Sequence, residues 1–321
     1  MSINTEMQVR VAAISQVAER VKRFRLERVD GADMPIFSGG AHIVVSMHDG
    51  TFLRRNPYSL MSSPADTSGY EISVLAVEQS RGGSAFMHAT LKSGDTLAIS
   101  QPVNLFPFDQ RGLKHLMLAG GIGITPFVAM MDQLEHENRR FELHYAVRTR
   151  THGAYWRDLQ QRYGAHRVHI YCDAEQLFIP TDVLLENQPL GTHLYVCGPA
   201  GMIKGVLASA AGHGWPRQNL HSEEFLAPPP GRQFSVALTR SGKLITVNTH
   251  QSILEAVEAA GVDAPFMCRG GACGECETAV SGCDGDLEHH DIYLEPADKA
   301  AGKKIMICVS RISGTKISLD L

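Results

Sequence analysis

The chain has 321 residues, of which 44% are hydrophobic and 20% are charged, and its formal net charge is −4. This balance gives no general electrostatic basis for binding nucleic acid or an anionic membrane, and no apolar run approaches the ~18–20 residues of a membrane helix. The length and composition leave room for two or three domains. The N-terminus has no basic region followed by an apolar one, and we expect a cytoplasmic protein.

Short strands separated by turn residues dominate the first third of the chain. Apolar or alternating runs of strand length lie at residues 7–14, 21–26, 42–47 and 70–77. Their even spacing up to about residue 108 predicts a closed antiparallel β-barrel. Within it, Arg81-Gly-Gly-Ser84 precedes a helix-like run and offers backbone N–H groups, a hydroxyl and a guanidinium, a set that suits a phosphate. Taken alone, the same stretch is also compatible with an ordinary glycine turn.

From about residue 114 the hydrophobic period changes. A buried strand at residues 115–119 leads into Gly120-Gly-Ile-Gly-Ile-Thr-Pro126, and apolar residues at helical spacing follow. Thr125 is predicted to be the helix N-cap, with Pro126 at the first helical position. A strand, a glycine turn and a helix start predict a dinucleotide pyrophosphate site, although Pro126 replaces the third glycine of the usual fingerprint.

The middle third alternates strands with helices. Further strands are predicted at residues 141–148, 168–172 and 192–197, and Cys197-Gly-Pro199 ends the last of them. Such alternation predicts a parallel sheet with crossover helices. Ligands bind at the carboxyl ends of the strands in such sheets, which is where both glycine turns fall.

A proline-rich stretch, Ala227-Pro-Pro-Pro-Gly-Arg-Gln233, predicts a linker before a third domain. Residues 234–247 predict a β-hairpin, and Ser252-Ile-Leu-Glu255 is a capping box that opens a helix through Ala260. Late strands are predicted at residues 304–308 and 316–321. A hairpin, a helix and then a cysteine-rich loop is the order of a β-grasp ferredoxin.

Four cysteines have the spacing Cys268-x₄-Cys273-x₂-Cys276, followed after a long gap by Cys308. This is the plant-type pattern of [2Fe–2S] ligands, in which four thiolates complete the tetrahedral sulfur shells of two irons. A structural zinc site is the alternative, but zinc sites usually pair two Cys-x₂-Cys knuckles or use histidine. Disulfides are disfavoured by the expected reducing compartment and by the odd total of seven cysteines.

With these motifs in this order, the whole chain resembles the phthalate dioxygenase reductase family, flavin–iron–sulfur reductases that serve Rieske-type oxygenases. The resemblance implies an FMN-binding β-barrel at residues 1–110 and an NAD-binding α/β domain at residues 111–226. It also implies a linker at 227–233 and a ferredoxin-type 2Fe–2S domain at 234–321.

The resemblance assigns roles residue by residue. Tyr58 and Ser59 would flank the flavin ring, Arg81, Gly82, Gly83 and Ser84 would hold its phosphate, and Phe225 would cover one ring face. The glycine turn would lie near nicotinamide and flavin, through Gly120, Gly121, Gly123, Thr125 and Pro126. The nicotinamide pocket would be bounded by Cys197, Gly198 and Pro199. The family motif Arg-x-Tyr-Ser is altered here, because Asn56 stands two places before Tyr58. Either Arg55 reaches the phosphate from a shifted position, or Asn56 supplies a weaker, uncharged donor.

The function implied is passage of electrons from NADH through FMN and a [2Fe–2S] cluster to a terminal Rieske-type oxygenase, in a transient complex. A flavin is needed because a hydride carries two electrons and the cluster accepts one at a time. No side chain is therefore predicted to act as a general acid or base. The chain itself is expected to be a monomer.

Several alternatives stay open. An aromatic acid such as phthalate is the leading substrate of the oxygenase, with a carnitine or small-amine oxygenase or an aromatic O-demethylase as the alternative. NADPH would need a basic clamp, which Arg148 and Arg150 could form, whereas Asp173 could hold an NADH ribose. A non-enzymatic redox sensor or scaffold would use the cluster only as a structural element and would leave the flavin and nicotinamide motifs unexplained.

Overall fold

The computed structural model describes residues 6–48, 50, 53–78, 81–226 and 230–321. Contacts divide the chain into two compact units. One comprises Met1–Ile43, Tyr58–Ala76 and Leu91–Phe225, and the other comprises Val44–Pro57, Val77–Thr90 and Leu226–Leu321. The predicted linker falls partly outside the described residues, at positions 227–229, and its remaining residues have no regular structure.

The N-terminal sheet has seven strands. They are β1 (Met7–Ala18), β2 (Val21–Arg28), β3 (Ala41–His48), β4 (Leu53–Ser59), β5 (Tyr70–Leu75), β6 (Thr96–Ile99) and β7 (Val103–Asn104). Their order is β4-β3-β6-β1-β2-β5, with β7 on β3. The pairs β1–β2, β1–β6, β2–β5 and β3–β7 are antiparallel. Burial alternates at the start of β1, where Val9 and Val11 are inside and Arg10 is exposed, as a half-buried strand requires.

The second sheet is parallel throughout. Its strands are β8 (Lys114–Gly120), β9 (Arg140–Val147), β10 (Val168–Cys172), β11 (Thr192–Cys197) and β12 (Leu220–Glu223), in the order β10-β9-β8-β11-β12. The helices between them are α2 (Thr125–His136), α3 (Trp156–Tyr163), α4 (Thr181–Glu186) and α5 (Ala200–Gly212). This confirms the predicted α/β architecture and adds one strand, β12, that the sequence reading missed.

The start of α2 differs from the prediction. A 3₁₀ turn, Gly121–Ile124, joins β8 to the helix, so that Thr125 is already helical and Ile124 is the N-cap. The Thr125 hydroxyl donates to the Ile122 carbonyl at 3.0 Å instead of accepting from the helix. The N-cap assignment of Thr125 was therefore wrong by one position.

The C-terminal domain contains the expected β-grasp elements. Its main sheet has the order β14-β13-β19-β15-β17, formed by β13 (Phe234–Leu238), β14 (Lys243–Val247), β15 (Glu277–Cys283), β17 (Lys304–Met306) and β19 (Lys316–Leu319). A small ribbon pairs β16 (Leu287–Glu288) with β18 (Arg311–Ile312). The helices of this domain are α6 (Ile253–Ala259) and α7 (Pro296–Ala301). A short helix, α1 (Gly83–Ala85), lies between β5 and β6 in the first third of the chain and is followed by a π-helical turn, Phe86–Thr90.

The predicted capping box is confirmed at the start of α6. The Glu255 N–H donates to the Ser252 hydroxyl at 3.1 Å, and the Ser252 N–H donates to the Glu255 carboxylate at 2.8 Å. Ile253, Leu254 and Val257 bury the opposite side of the helix in the core of this domain. The box thus fixes the start of the helix that leads into the cysteine loop. Within the described residues, no helix has both the length and the apolar character needed to cross a bilayer.

Candidate functional site

The four predicted cluster cysteines are brought together as two pairs. Cys268, Cys273 and Cys276 lie in the loop between α6 and β15, and Cys308 lies two residues beyond β17. Cys273 has the largest influence on the pKa of Cys268, and Cys308 has the largest influence on that of Cys276, so the cysteines lie as two neighbouring pairs. Two adjacent thiol pairs suit two irons, each of which takes two protein sulfurs in a [2Fe–2S] cluster.

Backbone N–H groups surround these sulfurs. The Gly270 N–H donates to Cys268 Sγ at 3.3 Å. The hydrogen bond from Cys273, followed by those from the Ala272 and Gly270 N–H groups, lowers the pKa of Cys268 to about 5. Donors of this kind stabilise thiolate sulfur, which is the form that binds metal. The loop thus favours the thiolate form at Cys268, whereas the partner sulfur and burial raise the pKa of Cys273 and of Cys308.

One glycine of the loop has a geometric requirement. Gly274 has φ of 84°, and a Cβ there would lie 2.3 Å from the ring of Tyr293. Any other residue would be strained and would also displace that ring. Cys273, next to this contact, is half-buried, whereas the other three ligand cysteines are buried.

The Arg81–Ser84 loop lies beside strand β4. The Arg54 Nε donates to the Arg81 carbonyl at 2.6 Å, and a Cβ on Gly83 would lie 2.2 Å from the Asn56 side-chain nitrogen. Ser84 is buried and accepts a hydrogen bond from the Val77 N–H. This arrangement gathers backbone N–H groups, an amide and a guanidinium, which is the donor set that a flavin phosphate requires.

The structure separates the roles of the two arginines that precede Asn56. Arg55 directs its guanidinium to Glu258, with Nη1 3.1 Å from Oε2. Arg54 is the one that contacts the loop. The sequence analysis named Arg55 and not Arg54 as the candidate, but strand alternation places residues 54 and 56 on the same face of β4.

Tyr58 and Ser59 close β4, where Ser59 is buried and Tyr58 is half-buried. Phe225 follows β12 and is 45% exposed, so its ring is accessible for stacking. These positions are compatible with the roles that the resemblance implied.

The two glycine turns of the nucleotide-binding domain meet at the carboxyl edge of the parallel sheet. Strands β8 and β11 are neighbours, with Ala119 opposite Cys197. A Cβ on Gly123 would lie 2.3 Å from the Cys197 carbonyl oxygen, and one on Gly120 would lie 2.8 Å from the Pro199 ring. The predicted turns therefore form one continuous surface, as expected for a ligand site at this edge.

Sequence reasoning missed an acidic residue at the same edge. Glu223 ends β12 directly opposite Cys197. The residue is half-buried overall, but its Oε2 is shielded from solvent and has no hydrogen-bond partner among the described residues. Burial raises the pKa of Glu223 to about 8, and burial beside Glu223 also raises the pKa of the Cys197 thiol. A carboxyl group that holds its proton at neutral pH thus borders the Cys197-Gly-Pro199 turn.

Arg150, one of the two arginines considered as a clamp for NADPH, already has a carboxylate partner. The Arg150 guanidinium donates two hydrogen bonds to Glu175, at 2.9 and 2.8 Å, and lies over the Trp156 ring. A fork-to-fork pair of this kind occupies the edge of the guanidinium that a 2′-phosphate would use. The geometry favours NADH.

A further group of possible metal ligands, Glu142, His144 and His169, lies on strands β9 and β10. Here the carboxylate is already engaged, by the Lys114 ammonium at 2.5 Å and the His144 ring at 2.9 Å. The hydrogen bond with His144, together with Lys114, lowers the pKa of Glu142 to about 2. These side chains therefore form a hydrogen-bonded ion-pair network, and we do not assign a metal to them.

Two family sequence models match the chain. The N-terminal domain of the dimethylamine monooxygenase subunit DmmA-like family matches residues 98–220, and the 2Fe-2S iron-sulfur cluster binding domain matches residues 236–313. The second match contains all four ligand cysteines. It supports iron–sulfur over zinc at this loop.

Full-length relatives cover all of the predicted domains. The carnitine monooxygenase reductase subunit of Acinetobacter baumannii is 43% identical over 97% of this chain and 96% of its own length. The heme-dependent oxidative N-demethylase beta subunit of Ectopseudomonas mendocina is 41% identical over 99% of this chain and its full length. A solved structure of phthalate dioxygenase reductase, described as a modular structure for electron transfer from pyridine nucleotides to [2Fe–2S], superposes with a TM-score of 0.90 at 32% identity and covers 99% of this chain and 98% of that one.

These likenesses confirm the expected fold class, a [2Fe–2S] cluster-binding domain and an electron-transferring oxidoreductase activity. They also confirm the predicted role as the reductase of an oxygenase system. The chain belongs to the phthalate dioxygenase reductase family and is a reductase subunit of an oxygenase system.

Proposed function

We propose that this reductase serves an oxygenase that acts on a small methylated amine, of which carnitine is the leading example. The observation that carries the proposal is the gradient of similarity. Identity is 43% to the carnitine monooxygenase reductase and 41% to the N-demethylase subunit, but 33% to phthalate dioxygenase reductase. The alternative substrate class from the sequence analysis is therefore preferred to an aromatic acid.

The proposed path uses the three sites described above. Gly120–Pro126 and Cys197–Pro199 position the nicotinamide, Arg81–Ser84 with Asn56 hold the flavin phosphate, and Tyr58, Ser59 and Phe225 contact the flavin ring. FMN held by these residues would supply the exchange between a two-electron donor and the one-electron capacity of the cluster. The four cysteines hold that cluster, and the glycine-rich loop brings its N–H groups to their sulfurs.

Exposed apolar side chains near the cluster loop support a partner surface. Met267 is 37% exposed, and Ile292 and Tyr293 are each 48% exposed. The Ile292 N–H donates to the Gly271 carbonyl, so these side chains are tied to the loop itself. Exposed apolar groups in such a patch are typical of protein-interaction sites. We assign them to transient docking of the terminal oxygenase, with the reductase a monomer between encounters.

The terminal component is proposed to be a Rieske-type oxygenase, as the family resemblance implied. A haem-containing N-demethylase is the second candidate, because its beta subunit is 41% identical to this chain.

Reconstitution tests the proposal. The purified reductase would be combined in turn with carnitine, N-methylamine and phthalate oxygenase components, and substrate-dependent NADH oxidation would be measured against oxygenase concentration. We expect half-saturation at the lowest concentration with an amine oxygenase. Tighter coupling to the phthalate component would contradict the amine assignment while leaving the reductase chemistry intact.

A further inference from the structure

An ion-pair network joins the expected flavin-phosphate loop to the helix that precedes the cluster loop. All of its members lie in one compact unit, formed by Val44–Pro57, Val77–Thr90 and Leu226–Leu321. Arg81 Nη1 donates to Glu255 Oε2 at 3.1 Å. One turn further along α6, Glu258 accepts from Arg55 at 3.1 Å and from Arg269, inside the cysteine loop, at 3.0 Å.

The Arg81–Glu255 pair is largely withdrawn from water. The Glu255 side chain is 5% exposed and that of Arg81 is 14% exposed. Such pairs hold their geometry far better than surface pairs, because water competes weakly for the partners and breaking one leaves a buried charge. Glu255 is held in turn by the Ser252 N–H at 2.8 Å. The carboxylate therefore has a fixed position from which to orient the guanidinium.

Four guanidinium groups lie around the loop. Arg55, Arg81 and Arg269 contact the carboxylates of Glu255 and Glu258, and Arg54 donates to the Arg81 carbonyl. A phosphate monoester carries roughly −1.5 to −2 charges near neutral pH, and guanidinium groups are its usual partners. A guanidinium carries five N–H donors. The hydrogen bond from Arg81 to Glu255 therefore fixes the orientation of the group and leaves other N–H donors for the phosphate.

We propose that Glu255 is a positioning residue for FMN. It holds Arg81 in the orientation that receives the flavin phosphate, so that a ferredoxin-domain helix completes the phosphate site. This inference rests on the assignment of Arg81–Ser84 to that phosphate. It makes flavin binding and the placement of α6, which leads into the cluster loop, thermodynamically linked.

The test compares FMN with riboflavin, which lacks the phosphate. Flavin-depleted full-length protein, with its cluster retained, is titrated with each flavin and followed by quenching of flavin fluorescence. Glu255→Gln removes the charge but keeps a capping-box acceptor, since Glu and Gln both serve at that position. We expect the FMN dissociation constant to rise by about 3- to 10-fold, the scale of a weakened charge-assisted hydrogen bond, with riboflavin unchanged.

Two controls isolate the mechanism. Glu295→Gln, at the exposed start of α7, removes a charge from the same domain and should leave both affinities unchanged. In an Arg81→Gln background, Glu255→Gln should add nothing to the FMN effect. If Glu255→Gln loses the cluster, Glu255→Ala is compared with Ser252→Ala, because the second variant damages the helix cap alone.

The outcomes are separable. If Arg81→Gln weakens FMN selectively but Glu255→Gln does not, the positioning role is overturned and the loop assignment stands. If Glu255→Gln tightens FMN, the carboxylate competes with the phosphate, and the inference is equally overturned. If Arg81→Gln leaves the preference for FMN over riboflavin unchanged, the loop assignment itself fails.

Discussion

Glu223→Gln should stabilise the nucleotide-binding domain, and the gain should grow with pH. The carboxyl of Glu223 has an ordinary pKa of 4.5 in an unfolded chain and about 8 in the folded protein, because burial disfavours its ionised form. Between these values the folded state retains a proton that the unfolded state releases. Stability of the native protein therefore falls as pH rises across this window.

The size of the effect follows from the shift. Each pH unit between 4.5 and 8 costs about 1.4 kcal/mol, so the penalty at pH 7 is about 3 kcal/mol and reaches about 5 kcal/mol above pH 8. Glutamine cannot ionise, so it avoids this penalty at every pH. The difference in unfolding free energy between variant and native protein should approach zero near pH 4.5 and rise with pH.

Urea unfolding followed by tryptophan fluorescence measures this difference. The chain has two tryptophans, Trp156 and Trp215, and both lie in the nucleotide-binding domain. The series would run from pH 5.5 to 8, with Glu224→Gln as the matched control for loss of one neighbouring carboxylate. A difference that stays constant with pH, or shrinks as pH rises, would refute the argument that Glu223 is buried and neutral.

Two further predictions concern the cofactor-binding residues. Arg54→Ala should weaken FMN binding by about tenfold, the value of one charge-assisted hydrogen bond, whereas Arg55→Ala should change it by less than about threefold; fluorescence titration decides, and a larger effect at Arg55 would reverse the assignment. Glu175→Gln should release Arg150 for a 2′-phosphate and raise kcat/KM for NADPH several-fold while leaving that for NADH unchanged; steady-state kinetics with both nucleotides checks this, and no change with NADPH would show that Arg150 lies away from the adenosine ribose.

Local patterns were sufficient for much of this fold. The capping box at Ser252 and Glu255 is a three-residue relationship, and the cysteine spacing reflects the reach of one loop around two irons. Buried parallel strands read as continuous apolar runs, which is why Leu116–Ala119 was recognisable.

The features that sequence reasoning missed depend on long-range packing. The strand Leu220–Glu223 has only four residues and no alternation, so nothing local marks Glu223 as buried. The Arg81–Glu255 pair joins residues 174 positions apart. The error at the start of α2 has a local cause. The 3₁₀ turn Gly121–Ile124 runs directly into the helix, so Thr125 already has helical backbone angles and cannot be the N-cap.

The most direct test of the account is an anaerobic reduction by NADH of native protein and of Cys273→Ser, followed by flavin absorbance and electron paramagnetic resonance. The native protein should lose its flavin absorbance and develop the signal of a singly reduced [2Fe–2S] cluster at about one spin per chain, while the variant should bleach its flavin with no cluster signal and no reduction of cytochrome c. A native protein that bleaches its flavin but never yields that signal, or one that contains zinc in place of iron at the four cysteines, would contradict electron exit through this cluster.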